Sequence, residues 1–299
     1  QYLEERLEIA DLEDELFECL ISSGLPSTTR DLSGGGVFHI KETEEPYPSI
    51  KKLYSGNTHG LIKHNDGFAV TSQGEGVVIF SESFEVKANI PLPKSIRAHG
   101  LRKYGDNWIV VSSYGDCILC IDPSGNELFR YHFSKKKKQY GSAQHHCNDL
   151  VVVDDFAYVS MFSVSGNWKR GRFDGGIVEV NLKTGEMQTV INNLIMPHNV
   201  DFRNGNFLVL NSFQGQVLLN NFKLDGILPG FVRGYDETKK YRVLGESKNR
   251  NFSRLDTGRS PVSIDSRVTI VHKERSFSRS IPLPKTISEI HAIAVIAPK

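Results

Sequence analysis

One segment of the chain recurs, and the recurrence limits the fold more than any other feature. Ala98–Ser113 reads AHGLRKYGDNWIVVSS, Thr58–Ser72 reads THGLIKHNDGFAVTS, and Pro197–Ser212 reads PHNVDFRNGNFLVLNS. In each copy a valine (Val70, Val110, Val209) lies 11 positions beyond a histidine (His59, His99, His198). A turn-forming cluster such as Asp66-Gly67 or Asn204-Gly205 falls between the two. The pattern is a strand, a tight hairpin and a second strand, opened each time by histidine.

Weaker copies extend the series. In Gln144–Phe162 (QHHCNDLVVVDDFAYVSMF) Asn148 precedes Val159 by 11 positions, and His146 lies two residues earlier, on the same strand face. In Val232–Ser247 (VRGYDETKKYRVLGES) Arg233 stands in the place of the histidine. Glu289–Ile296 (EIHAIAVI) supplies His291 and a first strand only. The register is reinforced by Ile90-Pro91-Leu92-Pro93-Lys94 before His99 and Ile281-Pro282-Leu283-Pro284-Lys285 before His291. Repeats at roughly 35 to 60 residues indicate a propeller or a solenoid.

From residue 16 onward the sequence reads as short strands, which predicts an all-β fold: a six-bladed β-propeller of four-stranded blades, each roughly 47 residues long. The sixth blade is split. Its first strand is HAIAVI at the C-terminus and its other three come from residues 16–55, so pairing of residues 291–296 with 16–23 closes the ring and removes exposed sheet edges. Residues 16–299 are expected to form a single domain. Residues 1–15 are expected to be a short N-terminal helix or linker, because Leu3, Leu7, Ile9 and Leu12 fall near helical spacing among acidic residues. The start at Gln1 rather than methionine is compatible with an upstream domain of the same polypeptide.

The net charge of +1 argues against nucleic acid as a partner, and the lack of any apolar run near 18 residues argues against a membrane span. Four cysteines without a disulfide or zinc-finger pattern fit reduced thiols and a cytoplasmic location. Cys117 and Cys120 look like a CxxC, but in the strand DCILCID their odd separation sends them to opposite faces.

In a propeller the first strand of each blade lines the central channel. His59, His99, His146, His198 and His291 occupy its opening position in five of the six predicted blades. Converging neutral imidazoles suit a divalent transition metal such as zinc, iron or manganese, and these five are the expected metal ligands. The competing expectation is that each imidazole bonds backbone or channel water. Asn148, Asp149 and Arg233 are candidates to support the ligands or touch substrate. His198, His146 and Arg233 are the expected catalytic groups, a free histidine moving the proton.

The connections Ser22–Gly36, Phe162–Gly175 and Glu246–Ser266 are long, basic, and expected on the histidine side of the ring. Guanidinium groups match carboxylate or phosphate in a bidentate fork, so Arg30, Arg172, Arg250 and Arg254, with Trp168 and Asn251, are the expected binding residues for a small anion. The run Lys135–Lys138 reads instead as a solvated loop between blades.

THGL, AHGL, HHCND, PHNVDF, GESKNRNFSRL and SIDSRVTIV together resemble a poorly characterised bacterial β-propeller family, distantly similar to the NHL and gluconolactonase-type propellers. The resemblance covers nearly the whole chain from residue 16, and it implies a six-bladed ring without implying a reaction. Gluconolactonase-type sites hold their metal with carboxylate and amide groups. Histidine dominates here, which disfavours calcium.

The sequence therefore leans toward a metal-dependent lyase or hydrolase acting on a small anionic substrate. One alternative is a non-catalytic ligand- or peptide-binding propeller. A minor one is a non-haem iron oxygenase. No GxSxG, phosphate-cradling loop or dinucleotide fingerprint is present, which argues against serine catalysis and nucleotide use.

Overall fold

A computed structural model of the protein describes residues 15–24, 34–93, 95–250, 263–275 and 277–297. Its strands run in chain order as β1 (Glu18–Ser23), β2 (Gly36–Lys41), β3 (Ser49–Ser55), β4 (Thr58–His64), β5 (Gly67–Ser72), β6 (Gly76–Phe80), β7 (Val86–Ile90) and β8 (Ala98–Tyr104). There follow β9 (Asn107–Ser112), β10 (Cys117–Ile121), β11 (Glu127–His132), β12 (Cys147–Val153), β13 (Phe156–Met161), β14 (Gly175–Asn181), β15 (Met187–Leu194) and β16 (His198–Arg203). The last are β17 (Asn206–Asn211), β18 (Gln216–Leu219), β19 (Lys223–Ile227), β20 (Phe231–Glu237), β21 (Tyr241–Ser247), β22 (Arg267–His272), β23 (Ser278–Pro282) and β24 (Ala292–Ala297).

They form six four-stranded antiparallel sheets, five of consecutive strands and one of order β24-β1-β2-β3. The ring closes as the repeats predict: Ile293 faces Ile21 and Ala294 faces Leu20 across β24 and β1. The innermost strands are β4, β8, β12, β16, β20 and β24, the six that carry the recurring segment.

Polarity along each blade follows distance from the axis. Central strands such as CILCI (β10) are buried at every residue, whereas the outer VKANI (β7) is exposed except at Ile90. The core therefore lies between blades, each sheet giving one face to each neighbour. Ala69, Val77, Leu101, Val110 and Cys117 fill one such layer, while Ile109, Val111, Cys120, Leu150 and Val159 fill the next. Cys117 and Cys120 thus sit in different layers, as their spacing predicts. Each aliphatic side chain buried this way contributes about 1.5–3 kcal/mol.

The lysine run differs from the expected loop. Residues 136–140 form a short helix, α1 (Lys136–Tyr140), and Lys136 Nζ donates to the Ser165 carbonyl at 2.5 Å, tying the run to the next blade. The expected N-terminal helix or linker spans residues 1–15, of which all but Glu15 lie outside the described residues. Among the described residues no helix is long and apolar enough to cross a membrane.

Candidate functional site

The inner strands do not run straight through the segment that opens them. Their pairing slips by one residue between Thr58 and Leu61, Ala98 and Leu101, His198 and Asp201, and Val232 and Tyr235. A bulge bends a strand and re-aims its side chains. Here it takes His59, His99 and Arg233 out of the ladder. The strands also nearly touch: a Cβ on Gly60 would lie 2.6 Å from the His99 carbonyl oxygen. Only glycine permits that approach.

Hydroxyls from the next strand fix this geometry. Thr71 Oγ1 accepts from the Gly60 amide at 2.9 Å and donates to the His99 carbonyl at 2.6 Å. Ser22 Oγ donates to the His59 carbonyl and accepts from the Ala292 amide at 3.0 Å.

Three of the five histidines converge. The His59 ring lies 3.9 Å from that of His99 and 4.1 Å from that of His291, centroid to centroid. One ring nitrogen from each falls within 4.8 Å of the others, an arrangement that could hold a metal ion. Tetrahedral zinc would draw such nitrogens to about 3.3 Å apart, given bonds of about 2.0–2.1 Å, so the three must close slightly.

His198 and His146 stand apart from that trio. His198 Nδ1 lies 3.0 Å from the Met196 carbonyl and 2.9 Å from Ser212 Oγ. A carbonyl only accepts, so Nδ1 carries the proton and Nε2 keeps a lone pair. Phe162 and Phe231 flank the ring at 5.2 and 5.5 Å. His146 is drawn sideways, 6.1 Å from His99, against Phe162 at 4.3 Å and Trp168 at 4.4 Å. It adopts φ +51°, and the turn is held by buried Asp116, which accepts the backbone amides of Gln144, His145 and His146. His145 serves structure instead, bonding the Ser163 carbonyl at 3.0 Å and Ser134 Oγ at 2.8 Å.

Arg233 completes the ring where histidine is missing. Its Nη1 lies 3.0 Å from His291 Nδ1. A guanidinium has no acceptor, so Nδ1 accepts and the neutral ring carries its proton on Nε2. That nitrogen sits 3.1 Å from Glu289 Oε2, at ion-pair distance but off the line of a full hydrogen bond. Glu289 is buried, with Oε1 2.5 Å from Arg250 Nη1 and Oε2 3.7 Å from Arg233 Nη2. Two guanidiniums thus share one carboxylate.

The electrostatics follow from burial and from Arg233. Burial, then Arg233, hold His99 down to about 3. Burial is also the chief cause that depresses His59, His198 and His291 well below the usual imidazole value, with Arg233 adding to each. All four are therefore neutral at physiological pH, the form that ligates metal. Burial lowers Arg233 itself to about 10, against the pull of Glu289, so it stays charged. In the same cluster burial lifts Asp149 to about 6, partly opposed by Arg102.

A cavity of about 40 Å³ is lined by His59, His99, His198, His291, Asn148 and Asp149 among others. That is room for an ion or about two or three waters. That volume is too small for an organic ligand, and half-exposed Arg250 reaches the same cluster through Glu289.

Of the expected binding residues, Trp168 packs on His146 and Arg250 pairs with Glu289, while Arg172 pairs with Asp174 at 3.3 Å on the loop, mostly exposed. Arg30, Asn251 and Arg254 lie outside the described residues. Glu289 is the residue that sequence reasoning missed. Its signal was an acid two residues before His291, in the segment that leads into β24.

Comparison with known proteins agrees with the fold. Residues 48–299 match a family described as a domain of unknown function, DUF4915. No curated protein matches the chain. Among solved structures, a protein of unknown function from Bacteroides caccae superposes with TM-score 0.63 at 13% identity, over 94% of this chain and 100% of that one. The nidogen/laminin complex gives 0.62 at 12% identity, over 94% and 98%. Streptogramin B lyase gives 0.52 at 10% identity, over 91% and 86%. At such identities the likeness concerns fold alone.

Proposed function

Because the chain belongs to the DUF4915 family, whose description assigns no activity, we propose its function from the site: a metal-dependent enzyme of lyase or hydrolase type, acting on a small anion at the histidine-lined mouth. The observation that carries this reading is the convergence of three neutral imidazoles, His59, His99 and His291, beside two guanidiniums that share one carboxylate. A divalent transition metal held by those imidazoles would polarise a carboxylate or carbonyl group. The excess positive charge of Arg233 and Arg250 orients the anion through charge-assisted hydrogen bonds.

His198 is the proton-accepting group in this reading. Its tautomer is fixed by Met196, so Nε2 has a lone pair to offer. Arg233 is one cause of its low basicity, and an anion seated on Arg233 cancels part of that field. His146, backed by Phe162 and Trp168, forms the wall of the mouth. The four cysteines, all free and buried, support a reducing compartment such as the cytoplasm.

A second reading, a binding module without chemistry, is favoured by the small volume at the ring, which keeps an organic ligand outside the histidines. Elemental analysis of the purified protein, joined to a melting-temperature screen of sugar acids, keto acids and phosphates, tests the proposal. A stoichiometric transition metal and a stabilising anion support it. Neither metal nor anion response refutes it. Anion binding without metal or turnover favours the binding module.

A further inference from the structure

The hydrogen bond from Arg233 to His291 conflicts with metal binding. His291 has two ring nitrogens and neither is free: the Nδ1 lone pair accepts from Arg233 Nη1 at 3.0 Å, and Nε2 carries the proton beside Glu289. A metal needs a lone pair. While this contact stands, His59 and His99 are the two members of the trio able to ligate.

Arg233 is also poorly satisfied where it sits. Its side chain is only 6% exposed, its carboxylate partner Glu289 is 3.7 Å away and is closer to Arg250, and its buried Nε has no hydrogen-bond partner among the described residues. A buried cation with an unmet donor is costly, and a two-oxygen anion edge meets its fork in full.

Resting on the metal-site reading above, we propose that Arg233 gates the metal site. A carboxylate or phosphate that takes up the Arg233 fork draws the guanidinium off His291 Nδ1 and frees that lone pair for the ion. No proton needs to move. His291 keeps its Nε2 proton toward Glu289, so Glu289 becomes the positioning carboxylate of a carboxylate–histidine–metal arrangement. Metal and oxyanion consequently bind with positive coupling, each raising affinity for the other by the same factor. Specificity follows from the same residue: the ligand must present a planar edge of two oxygens, which a neutral or single-oxygen ligand lacks.

The test is cobalt(II) titration, read by visible absorption and calorimetry, on the wild type, Arg233→Met and His59→Ala, each in plain buffer, in acetate and in inorganic phosphate. The wild type binds cobalt about tenfold or more tightly with an oxyanion present, the span typical of coupled sites. The acetate and phosphate arms show which oxyanion couples. Arg233→Met binds cobalt tightly without any oxyanion and shows no coupling. His59→Ala loses cobalt in every buffer. Arg233→Leu, which likewise carries no donor, serves if the methionine variant does not fold, as judged by circular dichroism. Equal cobalt affinity in all buffers, in wild type and variant alike, overturns the gate while leaving the metal site standing. Failure of both proteins to bind cobalt overturns the metal reading and the gate with it.

Discussion

Replacing Asp149 by asparagine isolates the electrostatic strain of the channel. Asp149 lines the histidine cavity, and its Oδ1 accepts the Leu150 amide at 2.9 Å, a bond that an asparagine oxygen can keep. Burial lifts its carboxyl from an ordinary 3.8 to about 6, since the compensating Arg102 Nη1 is 3.9 Å away. A group whose folded pKa is raised loses stability as pH climbs from the unfolded value to the folded one. Each pH unit in that window is worth about 1.4 kcal/mol, so ionised Asp149 costs about 3 kcal/mol at pH 7 and nothing below pH 3.8. Asp149→Asn should therefore stabilise the fold by up to about 3 kcal/mol at pH 7, or about 5 °C in melting temperature for a chain of this size. The gain should vanish at pH 4. Calorimetric melting of both proteins between pH 4 and pH 7.5 measures it. An equal gain at both ends of the range, or destabilisation at pH 7, would refute the reasoning.

Three other perturbations have definite outcomes. Gly60→Ala forces a methyl to within 2.6 Å of the His99 carbonyl oxygen, and should lower stability by about 1–3 kcal/mol in denaturant unfolding while disturbing the His59–His99 contact. Asp116→Ala strips three backbone amides of a buried carboxylate, and should lower stability by about 3–5 kcal/mol and loosen His146, seen as altered imidazole NMR signals. Arg250→Ala removes a mouth contact present equally in bound ground and transition states. It should weaken anion-induced stabilisation and, once a substrate is known, raise KM far more than it lowers kcat.

The ring was legible because propeller blades repeat. The 11-residue spacing from His59, His99 and His198 to a valine marked three inner hairpins, and EIHAIAVI, a first strand lacking its hairpin partner, pointed to closure on the N-terminal strands. Side-chain direction was less legible. Four histidines share one sequence position and His146 lies two residues ahead of it, but the one-residue slip in the ladder depends on pairing with the next strand. The structure consequently groups His59, His99 and His291, leaves His198 bonded to Met196, and turns His146 toward Trp168. Arg233 was visible as the blade without histidine, whereas its contact with His291 joins residues 58 positions apart. Glu289 carried no sequence mark of its own, because its pairing with Arg250 joins two distant segments of the chain. The four lysines gave no sign that Lys136 reaches the Ser165 carbonyl.

In the proposed gate, His59, His99 and His291 hold a transition metal when an oxyanion occupies Arg233. Anomalous diffraction at the metal edge, from crystals soaked in zinc and phosphate together, tests it most directly. The expected result is one strong peak about 2.0–2.3 Å from a ring nitrogen of each of the three histidines, with phosphate on Arg233. No peak in the channel, with Arg233 still bonded to His291 Nδ1, would contradict it.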